Sequence, residues 1–502
     1  MQSEYRDAAR TLTQCTFGPS VQDIEAFIRE GETSRWIETQ KSYPATSWLA
    51  LFESLEESHS GLGHGLYYAS SWTQMTVEKP DALRQRIAYI LSELFVVSVV
   101  DPAFRATARR KYMCNYYDGL ARNGLGNFRD ILRWVSTSPV MGEYLTFVNN
   151  VANESTQADE NYARELLQLF TLGPVKLHGD GSTVTDDLGQ PVPSYQQSDI
   201  ENLARVFTGW TFANASGAEK YAYAMVIDSD KHDATEKTVL GQRFSAHQSA
   251  EEDLEQVIDL LMSQANLYTY VAKFFITKMV TSNPKPAYVR RVRNAFKNSD
   301  GDMATLIEAI LTDRTADNYG DEVGKVRDPM CVFTHAMRAL GVKRRVGISM
   351  WPKQFNWYDR LLPMSAPSVF YYYQPDDAPN APDFSNLTAP EFAVYQWQDI
   401  YDYGHHFKEL IARQENEGRE WFMAPDLFEL FLTRLDDDSD WDNQPVVDYL
   451  DTHLFHGQLS DEEKAHYLTY LASCTGRRSD WYREIKNLIV HALLSPKFIV
   501  QG

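Results

Sequence analysis

DALRQRIAYILSELFVVS, residues 81–98, decides the fold class. Leu83, Ile87, Ile90, Leu91, Leu94 and Phe95 recur at helical spacing. On a period of about 3.6 residues they share one broad apolar face, the pattern of a helix packed on a core. Pro80 and Asp81 stand just ahead of the run, where helices start. The same period recurs along most of the chain. GNFRDILRWVSTSP reads as a helix from Phe128 that stops ahead of Pro139, because the residue before a proline avoids the helical region. ADENYARELLQLFTLGP, from Ala158, predicts a helix over 160–172 with Asp159 as its cap and Gly173-Pro174 as its stop. QQSDIENLARVFTGW follows as another helix, with Ser198 as the candidate cap. Further helices are expected over 251–263, 267–280, 286–297, 303–312 and 328–340. The fold class is therefore mainly α, a large multi-helix globular fold.

Two stretches break the helical period. VKLHGDGSTVTDDLGQPVPSY, residues 175–195, predicts a small β-hairpin that turns at Asp180-Gly181. Between Ser349 and Pro390 the chain is rich in Pro, Tyr, Phe, Asn and Asp, with PSVFYYYQPDDAPNAPDFSNLTAPEF at its centre. Flexible linkers are poor in Phe and Tyr, so this predicts a long ordered aromatic and Pro-rich loop pinned by its rings. The expected organisation is a helical core over 1-345 carrying the ENYARE and HD motifs, the aromatic loop segment over 346-395, and a C-terminal helical part over 396-502 packed on the core.

Several blocks resemble one bacterial family, known as domain of unknown function 1800. They are AARTLTQCTFGPS from Ala8, LRQRIAYILSELFVVS from Leu83, YYDGLARNGLGNFRDIL from Tyr116, DENYARELLQLFTLG from Asp159 and SDIENLARVFTGW from Ser198. HDATEKTVLG from His232, TSNPKPAYVRRV from Thr281, GKVRDP from Gly324, PSVFYYYQP from Pro367, LTAPEF from Leu387 and LLSPKF from Leu493 continue the match in order. The resemblance implies no activity. It implies a periplasmic or extracellular location, since such chains often carry export signals. It also implies a protein partner from a neighbouring sulfatase- and phosphatase-like family.

Composition narrows the function classes. A net charge of −21 repels phosphate backbones and anionic membrane surfaces, so no nucleic acid partner is expected. The longest apolar run, from Ile87 to Val100, is broken by Glu93 and is too short to span a bilayer. MQSEYRDAARTLTQ at the start lacks a charged-then-apolar signal pattern, so an export signal is expected to have been trimmed. Cys15, Cys114, Cys331 and Cys474 form no CxxC pair, which excludes a zinc ribbon and leaves buried free thiols or two disulfides. No GxSxG elbow, P-loop or GxGxxG follows a strand, against the common serine hydrolases, ATPases and dinucleotide enzymes.

The chemistry candidates each carry two readings. Glu160 and Arg164 are four apart with the acid N-terminal, the favoured orientation for a helical ion pair. That makes a structural clamp. Alternatively Glu160 or Glu165 acts as a base or metal ligand while Arg164 holds an anionic group. His232, Asp233 and Lys237 lie in a polar loop, where turn contacts and metal or acid–base work are both open. If the two loci meet, Glu160, Glu165, His232 and Asp233 form an oxygen-rich set with one imidazole, suited to a divalent metal. Arg164 and Lys237 would then receive phosphate, sulfate or carboxylate. Two function classes follow: a binding protein acting through a protein or surface partner, or a metal-assisted hydrolase on a phosphate, sulfate or glycan substrate.

Weaker signals complete the reading. His405-His406 and His453-x-x-His456 have spacings that metals use, but HExxH is absent. DDDSDWD, 436–442, starts like an EF-hand, yet Trp441 stands where glycine is needed and Val447 where the bidentate Glu belongs. The aromatics of GLGHGLYYASSWTQM, from Gly61, and of PSVFYYYQPDD either line a glycan or peptide groove or fill the core.

Overall fold

The helix foretold by the 81–98 pattern runs Ala82–Leu94 and is buried on every side, its polar residues included. Its apolar ridge packs into the core, and several of its polar side-chain atoms bond to neighbouring segments. Arg84 donates to the carbonyls of Ala121 (3.1 Å) and Lys41 (3.0 Å). Gln85 reaches the Asp81 carboxylate at 2.9 Å. Asp81 in turn accepts from the backbone N–H and the hydroxyl of Thr46. Buried polar groups are tolerated when they are hydrogen-bonded, and here they stitch the central helix to segments far away in sequence.

The structure is a computed structural model that describes residues 2–501 except 60, 62, 105–106, 154, 214–215, 314–323, 345–360, 375–376, 378–386, 396, 413–420, 423–442 and 474–477. Helices dominate it. Trp48–Ser58 packs on His64–Glu78, Ala82–Leu94 on Thr107–Asn123, and Ala265–Met279 on Pro286–Asn298. Strands occur as short two-stranded antiparallel ladders. The expected helices at 251–340 are found as Ala250–Ser263, Ala265–Met279, Pro286–Asn298, Met303–Leu311 and Pro329–Ala339. Caps explain the agreement: Ser249 accepts from Glu252 N, Asp302 from Thr305 N and Asp328 from Met330 N.

Four local expectations change. Phe128–Thr137 does stop ahead of Pro139, but Pro139 opens a second helix, Pro139–Tyr144, as proline can at a first turn. The helix Gln197–Val206 is capped at Gln196, whose N–H donates to Asp199 at 2.8 Å, rather than at Ser198. The helix expected over 160–172 is α-helical only over Asn161–Glu165, then π-helical over Leu166–Thr171. Asp159 does serve its start, accepting from Asn161 N at 2.9 Å. The 175–195 stretch folds back twice instead of once, through bridges Leu177↔Thr183 and Thr185↔Pro191, with its first turn at Asp180-Gly181.

Aromatic side chains fill the core. Tyr67, Tyr68 and Trp72 are all buried. The described part of the aromatic loop is pinned to the same body. Tyr68 donates to Pro363 O at 2.9 Å, Val99 N to Met364 O at 2.8 Å and Ser98 to Ala366 O at 2.6 Å. Tyr371 and Tyr373 pack on Val96. The C-terminus returns to this region, where Val500–Gln501 pairs with Lys325–Val326. Cys15, Cys114 and Cys331 are free and buried. Cys474 and the acidic run 436–442 lie outside the described residues. Among the described residues no helix is long and apolar enough to cross a membrane.

Candidate functional site

Glu160 and Asp233 line one open cleft of about 610 Å³. Glu160 sits at the start of Asn161–Glu165 and Asp233 on the loop after Ser229–Lys231. Glu201 and Arg205, on the helix Gln197–Val206, form the wall between them. Each of the two carboxylates is held by an arginine. Arg164 reaches Glu160 at 2.7 Å, the clamp read from the i, i+4 spacing, and Gln197 adds a bond at 3.0 Å. Arg205 reaches Asp233 at 2.6 Å. Glu201 is exposed, and its carboxylate accepts from the Gln197 amide at 3.3 Å.

Burial pushes the Asp233 carboxyl up, but the Arg205 guanidinium with the hydroxyl and N–H of Thr235 outweighs it and brings the pKa down to about 2. A carboxyl depressed in the fold adds stability above its unfolded pKa, near 4, and loses it as pH falls toward 2. Replacing Asp233 with Asn should therefore flatten the acid limb of the stability profile between about pH 4 and pH 2. Urea midpoints taken across that range check it, and an unchanged slope would show that the pair contributes nothing.

The other candidates face elsewhere. The His232 ring turns inward, with Nδ1 on Thr208 O at 3.0 Å and Nε2 3.3 Å from Asp253 Oδ2. Lys237 lies on the strand Lys237–Val239, whose alternation buries Lys237 and Val239 and exposes Thr238. Its Nζ meets the same Asp253 oxygen at 2.7 Å, both side chains fully buried. Glu165 is 7% exposed, its Oε2 lacks a hydrogen-bond partner among the described residues, and burial raises its pKa while Arg164 lowers it. The structure thus brings Glu160 and Asp233 together and keeps Glu165, His232 and Lys237 out of their cleft. Among the described residues no three His, Cys, Asp or Glu side chains are placed to hold a metal ion.

The match to known families is broad. A family model described as "Protein of unknown function (DUF1800)" covers residues 10–500. The chain belongs to the DUF1800 family. No curated protein and no solved structure matches it.

The DUF1800 chain also holds a buried charge centre that residue spacing did not reveal. Lys278 reaches Glu93 at 2.6 Å and lies over the rings of Tyr373 (4.5 Å) and Tyr371 (5.4 Å). Arg86 Nη1 stands 4.0 Å from Glu93 and its Nη2 donates to Lys278 O at 3.0 Å. Asp328 accepts from the hydroxyls of Tyr89 (3.0 Å) and Tyr373 (3.2 Å), while Lys325 pairs with Glu391. Burial raises both Glu93 and Asp328. The blocks LRQRIAYILSELFVVS, GKVRDP, PSVFYYYQP and LTAPEF all send side chains here. One signal was visible: Glu93 interrupts the longest apolar run, where only a paired acid is tolerated.

Proposed function

We propose that this protein acts by binding, and that the cleft between Glu160, Glu201 and Asp233 receives a cationic segment of a protein partner. The observation that supports it is the division of labour at the two loci. Glu160 and Asp233 line the open cleft, oriented by Arg164 and Arg205, while His232 and Lys237, the acid–base groups, are closed off against Asp253. Oriented carboxylates suit ammonium or guanidinium groups, and the net charge of −21 steers a basic partner toward them. The partner we propose lies outside the cytoplasm, in the periplasm or beyond, as the family resemblance implied. A member of the sulfatase- and phosphatase-like family is the first to try.

The test uses fluorescently labelled lysine- and arginine-rich peptides against glutamate-rich ones of equal length. The basic peptide should bind, more weakly as salt rises. Glu201→Lys should cut its affinity by about tenfold or more, since a like charge then replaces an attractive one. Glu201 is exposed, so this variant keeps its fold. Equal binding of both peptides, or an unaffected Glu201→Lys variant, would overturn the reading. The alternative, a metal-assisted hydrolase, requires His232 to leave Asp253. Turnover of an aryl phosphate or sulfate with added zinc or manganese, lost in Glu160→Gln, would establish it instead.

A further inference from the structure

We propose that a second cavity, built around Arg327, His335 and His456, binds a small oxyanion: a phosphate, sulfate or carboxylate group. The cavity is about 40 Å³, more than one water needs, and Arg10, Thr13 and Lys497 lie around it. No carboxylate is among its described lining residues.

The hydrogen bonds define its polarity. Arg327 is 4% exposed, and its guanidinium donates to Phe498 O (3.1 Å), Cys331 O (3.3 Å) and His335 Nδ1 (3.0 Å). Each of these acceptors is neutral. Burial brings its pKa down to about 10, so it remains charged at neutral pH. Its sequence neighbour Asp328 is turned away toward Tyr89 and Tyr373. A buried cation is ordinarily paired with a buried anion, and among the described residues none is in contact with it.

His335 adds a directed donor. An arginine can only donate, so Nδ1 of His335 must accept from it. The proton of the neutral ring is therefore on Nε2. The ring is 2% exposed and its Nε2 has no hydrogen-bond partner among the described residues. Burial, Arg327, His456 and Arg338 keep the ring well below its ordinary basicity, so it stays a neutral N–H donor. The ring is fixed between His456 (5.3 Å, 18°) and Phe498 (4.9 Å, 21°). Gly18, at φ +92, makes room for it, since a Cβ there would come within 2.2 Å of the imidazole.

The outer cations are already partnered. Lys497 pairs with Glu463 at 2.7 Å, and Arg10 lies 3.4 Å from Asp7. The uncompensated charge is thus the buried one, and the unused N–H belongs to the ring that it contacts through Nδ1. A buried cation with an unused ring N–H and no carboxylate among the described lining residues suits an oxyanion, even in a strongly acidic protein.

The experiment titrates the full chain with phosphate, sulfate and acetate, with chloride at matched ionic strength as control. Melting temperature should rise with at least one oxyanion beyond the chloride response, and the arms separate tetrahedral from carboxylate ligands. His335→Phe preserves a stacked ring and removes the Nε2 donor, so the apparent affinity should fall about tenfold. Arg327→Met should abolish the response. A wild-type measurement needs no variant: in protein labelled with 15N-histidine, one ring N–H should shift with the oxyanion and not with chloride. No oxyanion response beyond chloride, or no ring N–H shift, would overturn the site.

Discussion

Lys278→Met should cost about 3–5 kcal/mol at neutral pH, the range for stripping one partner from a buried ion pair. The carboxylate it abandons, Glu93, has a side chain 2% exposed. Arg86 is the remaining cation, at 4.0 Å. The reciprocal change, Glu93→Gln, should cost less. Lys278 is 11% exposed and keeps the faces of Tyr371 and Tyr373, so its ammonium retains both rings and a route to water. The loss in Lys278→Met should also depend on pH. Burial raises the Glu93 pKa and Lys278 lowers it, so removing Lys278 leaves the raising effect less opposed. A carboxyl raised in the fold binds its proton more tightly folded than unfolded. Stability is then retained below the unfolded pKa, near 4.3, and lost as pH rises through the folded one. The variant should therefore approach wild type near pH 4 and fall away toward pH 7. Urea titrations at both pH values, with the Glu93→Gln/Lys278→Met double variant closing the cycle, measure it. A loss within 1 kcal/mol at pH 7, or a double variant no better than the sum of the singles, would mean that the pair is not coupled.

This centre also shows where sequence reading stops. Helix bounds between 250 and 340 were legible because they are set locally, by Ser249, Asp302 and Asp328 at caps and by Pro286 and Pro329 at first turns. The Glu160–Arg164 pair was legible for the same reason, being one helical turn apart. The π segment Leu166–Thr171 was not, because LLQLFT satisfies the apolar period whether its turns close at four residues or five. The ladders of two or three residues are too short for an alternation to register. Half of the cleft was legible, since Glu160 and Asp233 each sit in a polar loop or helix start. Arg205 and Glu201 belong to no motif of that site in the sequence, and only the fold brings them to the cleft, where Arg205 pairs with Asp233. Long-range pairings such as Lys278 with Glu93 leave no local trace beyond a charge where a hydrophobe is expected.

Lys237→Met should likewise cost about 3–5 kcal/mol, and this result separates structure from chemistry at the HDATEKTVLG block. Lys237 and Asp253 are both fully buried, and Asp253 Oδ1 already lacks a partner among the described residues. Without the ammonium, Asp253 keeps the His232 ring, 3.3 Å away. A residue that receives substrate must be reachable, and this one is sealed between the strand Lys237–Val239 and the helix Ala250–Ser263. The partner substitution tests the cause. Replacing both residues with apolar side chains, Lys237→Met with Asp253→Leu, removes the orphaned charge and should recover most of the loss, because a well-packed apolar pair commonly matches a buried ion pair. Peptide binding in the cleft should be unchanged in the folded fraction of either variant, since Lys237 lies outside the residues that line it. Denaturation midpoints and binding curves on the same samples decide the matter. Full stability with lost binding in Lys237→Met would make this lysine part of the ligand site, and the closed interior assigned to it here would be wrong.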